Sequence, residues 1–521
     1  MAPHIANLPF FSPFIAIQYV LAAPLVLLAA YILQNEVVRY RQRVKNLSGP
    51  RGWPLVGSLF QLRGTVHAET YRQWAQRYGP VFQVQLGNTT VVLINTAKSA
   101  RELFIGQAHA MNSRPQFYVF HKKVTQKAVL SIGTSPWDDS CKYRRKAAAT
   151  ALNRNRVESY GPILNLEARE FLKSLLEIAE GGERTVDFLP AVKRFTLNLS
   201  LTLNYGTRVS SLKLMTDDRL MQEIMYVEDE ISNLRDTSKN YANYIPLLRY
   251  WQPVQQTLGW GKQKKGHAAD IGKRRLEYNR VLQRRLEDEV RRDVDNACIQ
   301  GSVLRDPEAS GLTQDELISV SLSMMAGAHS NQATLTWAIL LLAHRQDIQA
   351  KAYRVVHIDA LTKELSRYFV VLKLALPKAT YTDVIWEGAT IPANTTVFLN
   401  AWACNRDPEL FPDADTFAPE RWLPTEDGGT TPHAHQYAFG MGGRGCVAQH
   451  LAHRALYTVF LHLITKFHIL PPDATSAHVI DPLKDLRDPE TFVAEPRDFT
   501  AKLVPREGEK LSMWLSSPDG N

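Results

Sequence analysis

The chain has 521 residues, 45% of them hydrophobic and 22% charged, with a net charge of +9 and a pI of about 9.2. These are ordinary proportions for a globular protein with an ample core. The basic excess suits nucleic acid, an anionic membrane or an acidic protein, yet no zinc-finger spacing and no interleaving of aromatic and basic residues points to nucleic acid. Cys141, Cys298, Cys404 and Cys446 lie far apart without CxxC spacing. That pattern argues against a disulfide framework or structural zinc and fits a reducing compartment.

No charged side chain precedes Glu36, and Phe10 to Leu33 is almost wholly apolar, interrupted by Ser12, Gln18 and two prolines. Such a run is long enough to span a bilayer, and it lacks a basic n-region or a small-residue cleavage site. Arg39, Arg41, Arg43 and Lys45 follow at once, so the positive-inside rule leaves everything after residue 36 in the cytosol. The reading is a single-pass anchor over 1–35, a basic and Pro/Gly-rich linker over 36–54, and a catalytic domain over 55–521. Gly49-Pro-Arg-Gly-Trp-Pro54 makes a stiff elbow at the end of the linker.

Val81 to Ile94 alternates on either side of Gly87-Asn88 and predicts a β-hairpin. From Ala97 to Arg367 the pattern is mostly helical. A helix is expected to begin near Ser135, with Asp138 and Asp139 in its first turn and Lys142, Arg144, Arg145 and Lys146 beyond. Trp137 and that cationic group suit either a ligand's carboxylates or plain packing. Residues 262–292 read as a solvated helix face. Leu317 to Ala343 reads as one long apolar helix with a polar notch, Ala326-Gly-Ala-His-Ser-Asn331, where small residues admit either a ligand or another helix. Glu364 and Arg367 sit three apart on one helix face. Ile385 to Leu399 predicts short strands. An irregular stretch then leads to Pro419-Glu-Arg-Trp422, a further helix runs from Cys446 to about Phe467, and Phe499 to Arg506 predicts a last strand. His450, His453 and His462 have no carboxylate or Cys to complete a metal site and read as solvated or core residues.

Tyr437-Ala-Phe-Gly-Met-Gly-Gly-Arg-Gly-Cys446 places a cysteine after a glycine-rich loop and before a helix. Gly440, Gly442, Gly443 and Gly445 let the backbone turn its N–H groups toward the sulfur. The helix dipole and Arg444 add positive charge. That thiolate suits nucleophilic attack, zinc binding with partners, or axial ligation of a haem iron. A buried structural cysteine would not need so many glycines.

The order and spacing of these features resemble a microsomal cytochrome P-450, over nearly the whole chain. Phe439, Gly442, Arg444 and Cys446 match the family's Phe-x-x-Gly-x-Arg-x-Cys-x-Gly signature, with Ala448 in place of the last glycine. Glu364 and Arg367 match its Glu-x-x-Arg pair, and Arg421 matches the third, structural charge. The resemblance implies a mainly α fold with small β-sheets, preceded by a transmembrane helix. It also implies haem b (iron protoporphyrin IX) with Cys446 as the iron's axial ligand. Arg444, Trp137, Lys142 and Lys378 would then be propionate partners. In the usual Trp-x-x-x-Arg pattern the last place here is Cys141, so Lys142, Arg144 or Arg145 must supply the charge.

Two departures stand out. The family's acid–alcohol pair, a proton relay to bound oxygen, becomes His329-Ser330, followed by Asn331; Ser330 keeps the alcohol. The interval from Gly327 to Glu364 is also short, as though one helix passed directly into the next. Thr134-Ser-Pro-Trp-Asp-Asp-Ser-Cys-Lys and Leu374-Ala-Leu-Pro-Lys-Ala-Thr-Tyr look most like fungal hydroxylases of phenylacetate, m-cresol and m-hydroxybenzyl alcohol. The resemblance therefore implies a monooxygenase using O2 and a small aromatic or phenolic substrate, in fungal secondary metabolism or aromatic catabolism. Phe117, Tyr118 and Phe120 would cover the substrate, with Leu374 and Leu376 facing it. Electrons would come from an NADPH–cytochrome reductase at the endoplasmic reticulum membrane, docked on Lys142, Arg144, Arg145 and Lys146. The alternative is a haem-thiolate protein that isomerises or dehydrates its substrate, or one that has lost oxygenase activity.

Overall fold

A computed structural model describes residues 13–125, 131–210, 212–250, 266–354, 356–424, 436–473 and 478–516. Helices dominate, with three small sheets at the periphery. Helix α1 spans Pro13–Gln42 and runs without a break across the expected boundary at residue 36. Its last turns pack on the body, with Asn35 and Arg39 buried. Arg39 donates to Glu36 at 2.7 Å and to the Trp53 carbonyl at 2.9 Å, and Glu36 also accepts from the Leu55 amide. The basic segment is therefore docked rather than free. The start of the expected span, Phe10 to Ser12, lies outside the described residues, and among the described residues no helix is long and apolar enough to cross a membrane.

The expected hairpin forms as β1 (Val81–Leu86) and β2 (Thr89–Ile94), paired antiparallel. With β3 (Thr185–Asp187), β4 (Lys378–Ala379), β5 (Val384–Trp386), β6 (Ala389–Ile391), β7 (Thr396–Leu399), β8 (Phe467–Leu470) and β9 (Thr500–Pro505), the strands make sheets ordered β1-β2-β7-β4, β3-β9-β8 and β5-β6. The tail strand is present as β9, but a helix, Gly508–Ser516, follows it.

Helix α2 (Asp139–Ala151) starts later than expected because the Asp138 carboxylate caps it, accepting from the Cys141 amide at 2.6 Å. The central core lies between α3 (Gly161–Ile178), α4 (Leu189–Tyr205) and helices later in the chain, with α5 (Arg219–Arg235) and α6 (His267–Arg291) on one flank. The surface assigned to 262–292 is not wholly solvated. Arg275 of α6 is buried and pairs with Glu228 at 2.6 Å.

The long helix is two helices. A Thr313–Glu316 capping box starts α7 (Gln314–Met325), and α8 (Ala328–His344) follows after Ala326 and Gly327. A short helix, α9 (Gln346–Ala352), stands between α8 and α10 (Val356–Phe369), so α8 does not run directly into α10. Trp337 of α8 stacks on Phe369 of α10 at 4.6 Å and donates to the Ala494 carbonyl, tying both to the tail. Helix α11 (Gln449–Lys466) packs on α3 and α10. This stack sets the Cys446 loop opposite the start of α8.

Candidate functional site

Cys446 sits at the floor of a cavity of about 270 Å³, which is walled by the N-terminal turns of α8, the segment after α10 and the first turns of α11. Its residue surface is exposed, but that surface opens into the cavity. Burial therefore still pushes the thiol up, countered by the Ala448 N–H and the Arg145 charge. The loop achieves this with less uniform geometry than its glycines suggest. Gly442 has φ of 70° and a Cβ there would lie 2.5 Å from the Phe104 carbonyl oxygen, so it must be glycine. The Gly445 and Cys446 amides donate back to Gly442 and Phe439 rather than to the sulfur. Helix α11 begins only at Gln449.

Among the described residues four cations line the cavity, Arg114, Arg145, Lys378 and Arg444, and no Asp or Glu does. Burial pushes all four below their ordinary values, Arg444 to about 10. Mutual repulsion adds to this for Arg114 and Lys378. Arg444 does not lean on the sulfur. It donates at 2.9 Å to the carbonyls of Asn112, Ile132 and Ser135, and lies 5.6 Å from the Trp137 ring. Arg145 donates to the Gly443 and Gly445 carbonyls. Lys378 donates to Met441, with its ammonium 3.8 Å from the Phe104 ring centre. The Nε atoms of Arg114 and Arg444 are buried with no partner. A dianionic macrocycle fits such a place: its carboxylates would neutralise cations that no lining acid offsets, and its metal would meet the one lining thiol.

Phe439 lines the cavity while Gly442 shapes the loop behind it. Two of the expected haem partners do not line the cavity. Lys142 points outward to Asp139 at 2.8 Å, with 51% of its side chain exposed, and its place is taken by Arg145, one turn further along α2. Trp137 does not line the cavity either; it lies between Arg444 and Lys142.

Gly327, which precedes α8, and Ser330, Asn331 and Thr334 of α8 face the cavity at the three- and four-residue spacing of one helix face. His329 falls on another face. Its Nε2 lies 3.1 Å from Asp229, which Lys193 also approaches at 3.5 Å. Of the three residues expected to relay protons, Ser330 and Asn331 therefore line the cavity and His329 does not. Thr334 joins them by donating to the Ser330 carbonyl at 2.9 Å, and its place one turn beyond Ser330 was the signal for it. The polypeptide behind the loop is held by Glu364. Both its oxygens accept from Arg367, and it also accepts from Arg421, the Trp422 indole and the Ala418 amide.

Residues 47–491 match the cytochrome P-450 family. The chain is a cytochrome P-450. It is similar to a 3-hydroxyphenylacetate 6-hydroxylase of Emericella nidulans, at 39% identity over 96% of each chain. It is also similar to a phenylacetate 2-hydroxylase of the same organism, at 36% over 94% of this chain and 97% of that one. A cytochrome P-450 monooxygenase of Mycosarcoma maydis shares 38% over 90% of this chain and 89% of its own. The fold is the mainly helical one of the family. This P-450 is a monooxygenase with a haem-iron cofactor, using O2 and a reductase as redox partner.

The remaining expectations for this P-450 divide. Leu376 lines the cavity, whereas Leu374 lines a separate, small one. Phe117 and Phe120 line a side pocket, and Tyr118 does not. Of the four cations expected to dock a reductase, Arg144 is buried against Ser135 and Arg145 faces the cavity. Only Lys142 and Lys146 point out, each paired with a carboxylate. Among the described residues no group of His, Cys, Asp and Glu is arranged to hold a bare metal ion.

Proposed function

We propose that this P-450 binds haem b with Cys446 as axial ligand and inserts one oxygen atom from O2 into a small aromatic or phenolic substrate. The observation that carries the reading is the single lining cysteine, Cys446, in a cavity walled by Arg114, Arg145, Lys378 and Arg444, with no acid among the lining residues. A thiolate-ligated haem supplies oxygen activation when bound. The protein's own part is to neutralise its carboxylates, exclude water with Leu199, Leu203 and Leu376, and hold protons at the Ser330 hydroxyl and Asn331 amide. The names of the two Emericella relatives support an aromatic ring as the target.

The electron donor is an NADPH–cytochrome reductase, and the chain is anchored in the endoplasmic reticulum membrane with its catalytic domain in the cytosol. The uncharged first 35 residues support this, as do Leu25, Val26, Leu27 and Leu33, which stand 65–69% exposed on α1. Reducing the purified full-length protein under carbon monoxide tests the ligand: a strongly red-shifted absorption band is expected, and its absence from folded protein overturns the reading. NADPH-dependent hydroxylation of phenylacetate or m-cresol in reductase-containing membranes tests the reaction. A red-shifted band with no NADPH-dependent product would favour a haem-thiolate isomerase or dehydratase.

A further inference from the structure

A side pocket adjoins the haem cavity and shares Arg114, Gly133 and Leu376 with it as common wall. Its other walls are largely aromatic: Phe117, Phe120 and Phe492. Into this apolar place projects Arg235, the last residue of α5. Its guanidinium lies 5.1 Å from the Phe120 ring centre. Its Nε is fully buried with no hydrogen-bond partner, and among the described residues no carboxylate pairs with it. Arginine in such a place is costly unless an anion meets it.

Every neighbouring group that might offset the charge is already engaged. Glu228 is the nearest acid, but its oxygens accept from Arg275 at 2.6 and 2.9 Å and from the Tyr278 hydroxyl. Asp236, next in sequence, accepts from the Ser238, Lys239 and Phe492 amides. The carbonyls at the end of α5 accept from Asn240. His121 accepts from the Phe117 amide at Nδ1, so its Nε2 carries the hydrogen toward the Thr134 carbonyl and the ring is neutral. Arg114, the other cation on the wall, donates to the Leu376 and Pro377 carbonyls. Burial and Arg275 push Arg235 down to about 10, which still leaves it charged at neutral pH. The pocket is therefore positive and, among the described residues, lined by no anion.

We propose that Arg235 is the specificity residue of the site, holding the carboxylate of an aryl-alkanoate substrate in the side pocket while the ring occupies the haem cavity. This rests on the aromatic-substrate reading above and sharpens it, since a neutral phenol would leave Arg235 unpaired. The apolar walls lower the dielectric around the ion pair and so strengthen it, and the guanidinium fork matches a carboxylate with two parallel bonds. Phe120 holds the guanidinium plane before substrate arrives. An acid group held at Arg235 keeps the charged end away from Cys446 and turns the ring toward it.

The test is calorimetric titration of the haem-loaded full-length protein with phenylacetate, methyl phenylacetate and m-cresol. Wild type is expected to bind phenylacetate about 30-fold or more tightly than its ester. Arg235→Met and Arg235→Gln should each abolish that preference while binding the ester and m-cresol as wild type does. Arg235→Lys should restore part of it. Equal wild-type affinity for acid and ester overturns the proposal without any variant, and so does an undiminished acid preference in Arg235→Met or Arg235→Gln. If m-cresol and the ester bind but phenylacetate gains nothing, only the carboxylate anchor falls. If none of the three binds, the aromatic-substrate reading falls with it.

Discussion

Arg367 donates two parallel hydrogen bonds to Glu364, at 2.7 and 2.8 Å, in a place where both side chains are wholly excluded from solvent. The pair does more than neutralise itself. Arg367 also donates to the carbonyls of Asn405, Ala414 and Thr416, while Glu364 accepts from Arg421, Trp422 and the Ala418 amide. The irregular segment between Asn405 and Trp422 is thereby fastened to α10, upstream of the cysteine loop. Removing one partner leaves a buried charge and several orphaned groups. Glu364→Ala should cost about 3–5 kcal/mol of stability and yield protein largely without haem, measured by chemical denaturation and by the red-shifted carbon monoxide band. Arg421→Ala should be milder, because Arg421 is partly exposed and supplies only one of the carboxylate's bonds.

How far the sequence carried the fold depends on the range of each signal. The hairpin at Val81–Ile94, the Glu364–Arg367 pair and the cysteine loop rest on short spacings, and all appear where the pattern set them. Helix phase was harder. His329 and Ser330 are adjacent in sequence yet point to different neighbours, and only the three- and four-residue rhythm through Thr334 separates them. Lys142 and Arg145 differ in the same way. Burial of charge was the least legible, because Arg275 and Arg144 look like surface residues until distant Glu228 and Ser319 are brought beside them. The Arg235 pocket gathers residues from five separate stretches of chain, and no local pattern announces it.

Gly442→Ala isolates the loop's geometry from its chemistry. The new methyl meets the Phe104 carbonyl oxygen at 2.5 Å on a backbone with φ of 70°. Strain of about 1–3 kcal/mol is expected, lowering the thermal midpoint and the fraction of protein that retains haem. Gly440→Ala should be the gentler change, since φ there is also positive but no atom lies within 4 Å of a Cβ.

Ser330→Ala and His329→Ala separate the two halves of the notch. Ser330 faces the cavity, so its loss should reduce product formed per NADPH consumed and slow turnover by about 10-fold or more. His329 binds Asp229 outside the cavity, so its loss should leave that ratio unchanged and show itself in stability. Measuring NADPH oxidation, peroxide and product together decides it. Unchanged coupling in Ser330→Ala would remove the hydroxyl from the relay.

Arg145→Ala and Lys142→Ala test which cation of α2 serves the haem. Arg145 donates to the carbonyls of Gly443 and Gly445 and borders the cavity, so its removal should weaken haem retention by about 10- to 100-fold. Lys142 pairs with exposed Asp139 and lies over the Trp137 ring, outside the cavity, and its removal should leave haem retention at the wild-type level. Transfer of haem to an acceptor apoprotein gives both rates.

His462 gives the acid limb of stability a specific source. Burial first, and then Lys466, push it down to about 4. Its Nε2 lies 3.1 Å from the Asn165 side chain, and its ring packs on Trp514. Unfolded, an imidazole titrates near 6.5. Between about 6.5 and about 4 the unfolded chain therefore binds the extra proton, so stability rises with pH across that window. The contribution is fully present above 6.5 and is lost as pH falls toward 4. His462→Gln retains a donor to Asn165 but has no proton to gain. Its thermal midpoint should fall less steeply than that of wild type between pH 6.5 and 4, and the two should run parallel above pH 7. Identical slopes through the acid window would show that His462 is as readily protonated folded as unfolded.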